Sequence, residues 1–356
     1  MRTGTAYLPL HYGKAPAWLF QRMKELAREI SLVIIDEFGS VEMLRRLSDP
    51  FWFQSFGCVL GFDWHSSGLT TTVCGALKEG LRGTEGDSGL FIAGGKGRVS
   101  RRTPIEIEES CDRISREASD LVYASRMTAK VDNAALQDGY QLYHHVFFFT
   151  REGSWCVVQQ GMNEHTRYAR RYHWMGHGLE SFVCEPHSAV CCDQRGRALN
   201  MVARESEGAR ETATRLASEH PEQIMSEVEW LRKLELPRAH EVVLGGRGFN
   251  WLRRVLERTH EQQPADFEAL LSTQGVGQKT VRSLALISEL IYGVEPSFRD
   301  PATFSFAHGG KDGHPYPVDR ENYDRSIEVL RRALSAATIG RGEKLRAMRR
   351  LASLES

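Results

Sequence analysis

Residues 275–280 (GVGQKT) constrain the fold more than any other part of the sequence. They follow an amphipathic run from Asp266 to Ser272 and lead into a strongly apolar segment from Thr280 to Ile291. Glycines at this spacing indicate a tight turn, because glycine adopts backbone angles that other residues avoid. The sequence therefore predicts two helices joined by a short turn, which is helix-hairpin-helix geometry.

Such a turn is typical of a phosphate-binding site. Its main-chain amides face outward, and the following helix adds its positive N-terminal end. An ordinary turn between packed helices is the alternative, but the preceding leucine pair and the Lys279-Thr280 pair favour a DNA-binding hairpin. The residues predicted to contact DNA here are Gly275, Val276, Gly277, Gln278 and Thr280.

Composition bounds the class of protein. The chain has 356 residues and is 41% hydrophobic, which allows two domains with buried cores. Its net charge of zero argues against a uniformly basic nucleic-acid coat, so DNA binding is expected to be local. Seven cysteines, an odd number, do not indicate a secreted disulfide framework. Without an apolar leader or a membrane-length apolar run, we expect a cytoplasmic protein with no membrane partner.

Periodicity predicts an α+β fold in three parts. Residues 1–201 form a mixed α/β N-terminal domain, residues 202–235 a helical connector, and residues 236–356 an all-α helix-hairpin-helix DNA-binding domain. Apolar spacing predicts helices first and a β-hairpin later in the N-terminal part, and helices alone after the connector. The predicted helices are 16–38, 40–47, 248–260, 267–271, 280–291, 320–334 and 341–354, and the predicted strands are 89–93, 140–150 and 155–160.

The hairpin resembles that of the helix-hairpin-helix DNA glycosylases, in which Gly-Val-Gly-x-Lys precedes a catalytic aspartate. The resemblance implies that Lys279 attacks the anomeric carbon of the sugar, as in the lyase members, while an aspartate stabilises the developing cation. Asp300 lies near the family's spacing, whereas Asp319 matches the local Val-Asp pattern at about twice that spacing. The alternatives are a phosphate-contacting Lys279 and helix-capping aspartates. No iron–sulfur cluster is expected, because the last cysteine is Cys192.

Two basic segments of the N-terminal part are further candidates for DNA contact. The glycine-rich loop around Lys96 and Arg98 suits phosphate binding, although a plain surface turn explains it equally well. Residues 167–174 interleave cations with aromatic rings, a pattern that suits phosphate contact and base stacking, and Arg170 and Arg171 are the candidates. A packed helix with outward arginines is the alternative.

A metal site is also possible in the N-terminal part. Asp132 and Asp138 precede a predicted strand that carries His144, and such a set of ligands could hold Mg²⁺ or Mn²⁺ for phosphodiester cleavage. Strand alternation predicts that His144 and His145 lie on opposite faces. The alternative is a set of hydrogen-bonded structural residues.

Longer phrases suggest a relationship over nearly the whole chain. They are SDPFWFQ at 48–54, GFDWHSSG at 61–68, QDGYQLYHH at 137–145 and SFAHGGKDG at 305–313. With them the chain resembles the domain-of-unknown-function family 763, which implies no activity. The hairpin alone points to chemistry, so we expect a DNA-repair protein of the glycosylase or abasic-site lyase kind. A metal-dependent endonuclease and a non-catalytic DNA-binding module are the alternatives.

Overall fold

A computed structural model describes residues 17–62, 68–166, 168–192, 194–231, 233, 246–304 and 320–352. The fold combines helices with antiparallel sheets and is α+β, as predicted. The helices are α1 (Ala17–Phe38), α2 (Ser40–Ser48), α3 (Pro50–Leu60), α4 (Gly68–Gly80), α5 (Glu85–Ser88), α6 (Thr103–Glu108), α7 (Ala118–Lys130), α8 (Glu207–Ser218), α9 (Pro221–Leu231), α10 (Gly246–Gln262), α11 (Phe267–Ser272), α12 (Gln278–Leu290), α13 (Arg320–Ala336) and α14 (Arg341–Ala352).

Two antiparallel sheets accompany these helices. The strands are β1 (Leu90–Lys96), β2 (Leu136–Gln137), β3 (Gln141–Thr150), β4 (Trp155–Met162), β5 (Ala169–Met175), β6 (Ala189–Cys191), β7 (Arg197–Asn200) and β8 (Ser297–Arg299). The larger sheet has the strand order β1-β3-β4-β5-β6, and the smaller has the order β2-β7-β8. A β-hairpin turn at residues 151–154 joins β3 and β4, as predicted.

The larger sheet is buried on both faces. Because successive side chains of a strand point to opposite faces, Phe147 and Phe149 of β3 enter one core while Val146 and Phe148 enter another. The first core also receives apolar side chains from α7 to α12. The second core receives them from α1 to α4 and from α13 and α14. The sheet is therefore the layer between two helical layers.

This arrangement bears on the predicted three-part organisation. The sequence predicts a helical connector over residues 202–235. Within that range, α8 and α9 place Leu216, Met225 and Val228 in the same core as α10 to α12. At the other end of the chain, α13 and α14 place Leu330 and Leu351 against the N-terminal helices. The division of the chain into three parts stays a prediction.

Three local features differ from the prediction. The segment predicted to be all-α contains β8, whose three residues pair with β7. Strand β1 continues through Gly94 to Lys96 instead of ending in a loop, because these residues pair with β3. Glycine permits this close approach, since a Cβ atom at Gly94 would lie 2.3 Å from the carbonyl oxygen of His145. An irregularity between Leu142 and His144 interrupts the alternation of β3.

Candidate nucleic-acid interface

The hairpin consists of α11, the turn 273–277 and α12. Helix α11 begins because the Asp266 side chain accepts a hydrogen bond from the amide of Ala269 at 2.7 Å, which satisfies one of the free amides of the first turn. Leu270 and Leu271 of α11 and Val281 and Leu284 of α12 are buried in the first core. The two helices are therefore packed into the core on either side of the turn.

Two glycines set the path of the turn. Gly275 has φ +97°, which favours glycine, and a Cβ atom there would lie 3.0 Å from Cγ2 of Val255. Gly277 precedes α12 and provides no side-chain cap for its amides. The first amides of a helix have no partner within that helix. The N-terminus of α12 therefore offers main-chain donors without a competing side-chain acceptor from its own cap residue.

Buried side chains and two hydrogen-bonding residues, Lys130 and Gln137, hold the turn in place. Val276 is buried, and the Lys130 ammonium of α7 donates to the carbonyl oxygens of Leu271 and Thr273 at 2.7 and 2.9 Å. Burial lowers the pKa of Lys130. The Gln137 side chain donates to the carbonyl oxygen of Gln278 at 2.9 Å. The α7 region therefore fixes the carbonyl side of the hairpin.

Two cations accompany the turn. Lys279, in the first turn of α12, is exposed and has no ion-pair partner within the ranges that the structure describes. From α10, the Arg258 guanidinium donates to the carbonyl oxygen of Gln274 at 2.5 Å. Thr280 is fully buried, so its side chain supports the helix from within while Lys279 faces solvent. An anion at the N-terminus of α12 would meet amides and a free ammonium together.

Asp300 lies in a buried ionic cluster. Its Oδ2 accepts from the Arg170 guanidinium at 2.7 Å and from the amide of Gly196 at 2.8 Å, and its Oδ1 accepts from the amide of Ala302 at 2.9 Å. The carboxylate is therefore occupied within the protein. Asp319, the other predicted catalytic aspartate, lies outside the described residues.

Arg170 is the centre of that cluster. Only 1% of its side chain is exposed, and it also donates to Asp138 at 2.9 Å, while its guanidinium lies 4.5 Å from the ring centre of Tyr140. Burial, the largest single effect, would lower the pKa of Arg170, but Asp138 and the other neighbouring groups together outweigh burial. The pKa is therefore raised and the cation persists. As placed, Arg170 crosslinks β5 to residues 138 and 300 and does not face solvent.

Arg171 is also buried, on the opposite face of β5. It donates to Gln54 at 3.0 Å and to His173 at 2.8 Å, and it lies 4.7 Å from the ring centre of Phe53. The sequence predicts that segment 167–174 offers its arginines to DNA. The structure places most of this segment in a central strand, so we leave Arg170 and Arg171 out of the interface.

Lys96 and Arg98, the other predicted basic contacts, are exposed. The Lys96 ammonium lies 5.7 Å from the ring centre of Tyr143, a cation–π distance. Arg98 lies in the 3-10 turn Gly97–Arg102 that follows β1. Both side chains are therefore available to an anionic partner.

The three predicted metal ligands are not brought together. Asp132 accepts from Gln159 and Trp174, and Asp138 accepts from Tyr140, Arg170 and Tyr172. Burial lowers the pKa of His144 to about 3, and neither ring nitrogen has a hydrogen-bond partner among the described residues. No group of three His, Cys, Asp or Glu side chains suited to a metal occurs in the described part of the chain, so the structure gives no support to this Mg²⁺ or Mn²⁺ site.

A buried polar chain lies on the α7 side of the sheet, and the sequence identifies it only in part. Ser125 Oγ lies 2.9 Å from Nε2 of His145, and Nδ1 of that histidine lies 2.7 Å from Oε1 of Gln159. Nε2 of Gln159 then donates to Asp132 at 2.6 Å. Asp132 lies in the π-helical turn Val131–Ala135 after α7, and such turns are frequent at functional sites. Ser125 carries no sequence signal, because serine within a helix is common.

Comparison with known proteins places the chain in one family. Residues 4–318 match the family described as protein of unknown function (DUF763), and the chain belongs to that family. No curated protein and no solved structure matches the sequence. Among the described residues, no helix combines the length and apolar character needed to cross a membrane.

Proposed function

We propose that this protein binds DNA through the backbone amides at the N-terminus of α12, in the context of DNA repair. The observation that carries the proposal is the turn before α12, in which Gly275 has φ +97° and Gly277 leaves the helix without a side-chain cap. Such a helix end attracts anions, because its free amides and the helix dipole both favour negative charge. The anion repeated along DNA is the phosphodiester.

Lys279 adds the charge that a bare helix end lacks. It is exposed, one residue after the first residue of α12, and it has no ion-pair partner within the described ranges. A lysine that contacts a phosphate releases a bound counterion from DNA, so its contribution depends on salt. The contact would be independent of base sequence, because phosphates are common to all sequences.

The first prediction concerns Lys279. We expect Lys279→Ala to weaken binding to a short DNA duplex and to reduce the slope of log affinity against log salt concentration by about 1. The measurement is fluorescence anisotropy with a labelled duplex at several salt concentrations. Lys233→Ala is the matched control, because Lys233 is also exposed and lies outside the hairpin.

The two variants separate a local interface from general attraction. The proposal holds if Lys279→Ala changes the slope and Lys233→Ala leaves it unchanged. Equal effects of both substitutions would show that DNA responds to net charge alone. Tight binding by Lys279→Ala with the wild-type slope would remove the hairpin from the interface.

The resemblance to DNA glycosylases extends the proposal to chemistry. The Lys279 amine is exposed where a bound strand would lie, so it could form a Schiff base with an abasic sugar. We leave Asp300 out of this reaction, because Arg170 and two main-chain amides occupy its carboxylate. If an aspartate assists, Asp319 is the remaining candidate.

The second prediction tests this chemistry. Borohydride should trap a covalent adduct between the wild-type protein and abasic DNA, and Lys279→Arg should bind the same DNA without forming the adduct. The readout is a protein–DNA band stable to denaturation. Binding without trapping by the wild-type protein would leave a non-catalytic DNA-binding module and exclude the lyase mechanism.

A further inference from the structure

The polar chain on the α7 side of the sheet ends in a small pocket of about 240 Å³. Ser125 and His145 line its buried part, and Arg101 and Arg126 are the exposed cations of the lining. None of the described residues that line the pocket carries a carboxylate. The pocket is therefore small and cationic, with a hydroxyl and an imidazole side by side at its base.

Hydrogen bonding fixes the proton positions in this chain. The amide nitrogen of Gln159 has two acceptors, Asp132 Oδ2 at 2.6 Å and the carbonyl oxygen of Thr128 at 3.3 Å. Its oxygen must therefore face Nδ1 of His145, which donates to it. The lone pair of a neutral histidine is then on Nε2, where it accepts the hydroxyl proton of Ser125.

The histidine is neutral at physiological pH. Burial lowers its pKa, and the hydrogen bond to Gln159 and the charge of Asp132 only partly oppose this effect. A neutral imidazole with its lone pair on a serine hydroxyl is the arrangement of a general base beside a nucleophile. In this hydrogen-bonded series, Gln159 orients His145, and Asp132 accepts a hydrogen bond from Gln159.

We propose that Ser125 is a nucleophile activated by His145, and that the pocket takes a small ester carrying an anionic group. Ser125 Oγ attacks the carbonyl carbon while its proton moves to His145 Nε2, and the carbonyl electron pair moves to oxygen. Collapse of this adduct breaks the ester bond, and the departing alcohol takes the proton from Nε2. Water then attacks the acyl group with His145 as base, which releases the acid and restores Ser125.

The arginines define the substrate class. Among the described residues of the lining, Arg101 and Arg126 carry positive charge, so they favour a negatively charged substrate over a neutral one of the same size. The small volume excludes a macromolecular chain from the base of the pocket. This activity is separate from DNA binding by the hairpin.

Covalent labelling tests the nucleophile. A small dialkyl fluorophosphate should form a bond between phosphorus and Ser125 Oγ, with fluoride leaving and the proton going to His145. Peptide mass spectrometry of the full-length protein should place the adduct on Ser125. Ser125→Ala should abolish labelling and His145→Gln should slow it about 100-fold or more. Ser226→Ala, at an exposed serine of α9 outside the pocket lining, should label at the wild-type rate.

Two further readouts separate catalysis from structure. The labelling rate should rise with pH with an apparent pKa below about 6.5, the ordinary value for histidine. Hydrolysis of an anionic p-nitrophenyl ester should fall in Arg126→Gln while that of a neutral ester of similar size does not. Near-ultraviolet circular dichroism shows whether each variant is folded.

The proposal is overturned if folded wild-type protein is not labelled, or if the label is on a residue other than Ser125. Unchanged labelling in folded His145→Gln would also overturn it. If a substitution at Ser125 or His145 prevents folding, the position of the label in the wild-type protein still tests whether Ser125 is the nucleophile. DNA binding is measured on the same samples, so that a failure of the esterase proposal can be distinguished from a failure of the DNA-binding proposal.

Discussion

Arg170 shows how a single residue can hold distant parts of this chain together. Its guanidinium donates to Asp138 and Asp300 and to the carbonyl oxygen of Gln194, with 1% of the side chain exposed. A buried ion pair contributes little net stability, but removal of one partner leaves an uncompensated charge. Removal of Arg170 would therefore destabilise the protein mainly because Asp138 and Asp300 would remain buried without a cation.

We therefore predict that Arg170→Met destabilises the protein by about 3–5 kcal/mol. The two buried carboxylates would lose their cation. Because burial raises the pKa of Asp138, the loss should shrink as pH falls and protonation neutralises that carboxylate. Urea unfolding at several pH values measures this. Arg254→Met, at an exposed arginine of α10, should change the free energy of unfolding by less than about 0.5 kcal/mol. Equal small effects of both substitutions would contradict the role of the cluster.

His144 supports a prediction about pH. Burial lowers its pKa from 6.5 to about 3, so the unfolded chain binds the proton more readily than the folded one. This contribution to stability is complete above pH 6.5 and is lost as pH falls towards 3. Because neither ring nitrogen has a partner among the described residues, the ring can be replaced by an apolar one without breaking a described hydrogen bond.

The expected result is a flatter pH profile for His144→Phe. Between pH 6 and pH 4, the wild-type protein should lose about 1.4 kcal/mol per pH unit more than the variant. Denaturant unfolding across this range measures the difference, and His177→Gln, at an exposed histidine, should follow the wild-type curve. Parallel profiles for wild type and His144→Phe would contradict the burial argument.

At the scale of elements, amphipathic helices were the predictable part. Helix α1 and the helices of the hairpin begin and end within two residues of the sequence prediction, because apolar period and turn glycines act locally. The structure bears out the β-hairpin of β3 and β4 for the same reason. Its strands are aromatic and β-branched, and a glycine-containing turn separates them.

Elements whose stability comes from distant partners were not predictable. Strand β5 carries Arg170 and Arg171, which are buried only because Asp138, Asp300 and Gln54 meet them from remote parts of the chain. The three residues of β8 form a strand only against β7. In the candidate sites, the glycines of the hairpin gave a local signal, whereas the partnership of Ser125 with His145 arises from the packing of α7 on β3.

At the scale of the whole molecule, one five-stranded sheet separates two helical layers. The hairpin lies in the first layer, where Val276 and Leu284 share a core with Phe147 of the sheet. Helices from both ends of the described chain form the second layer. The hairpin therefore packs on the main body of the fold, and buried side chains support the turn before α12.

NMR can test directly whether the main-chain amides at the N-terminus of α12 bind a DNA phosphate. Amide chemical shifts of the full chain, followed by TROSY NMR during titration with a short DNA duplex, should change most at Gly277, Gln278 and Lys279. Shifts confined to other surfaces while DNA is bound, or no binding at low salt, would contradict the account.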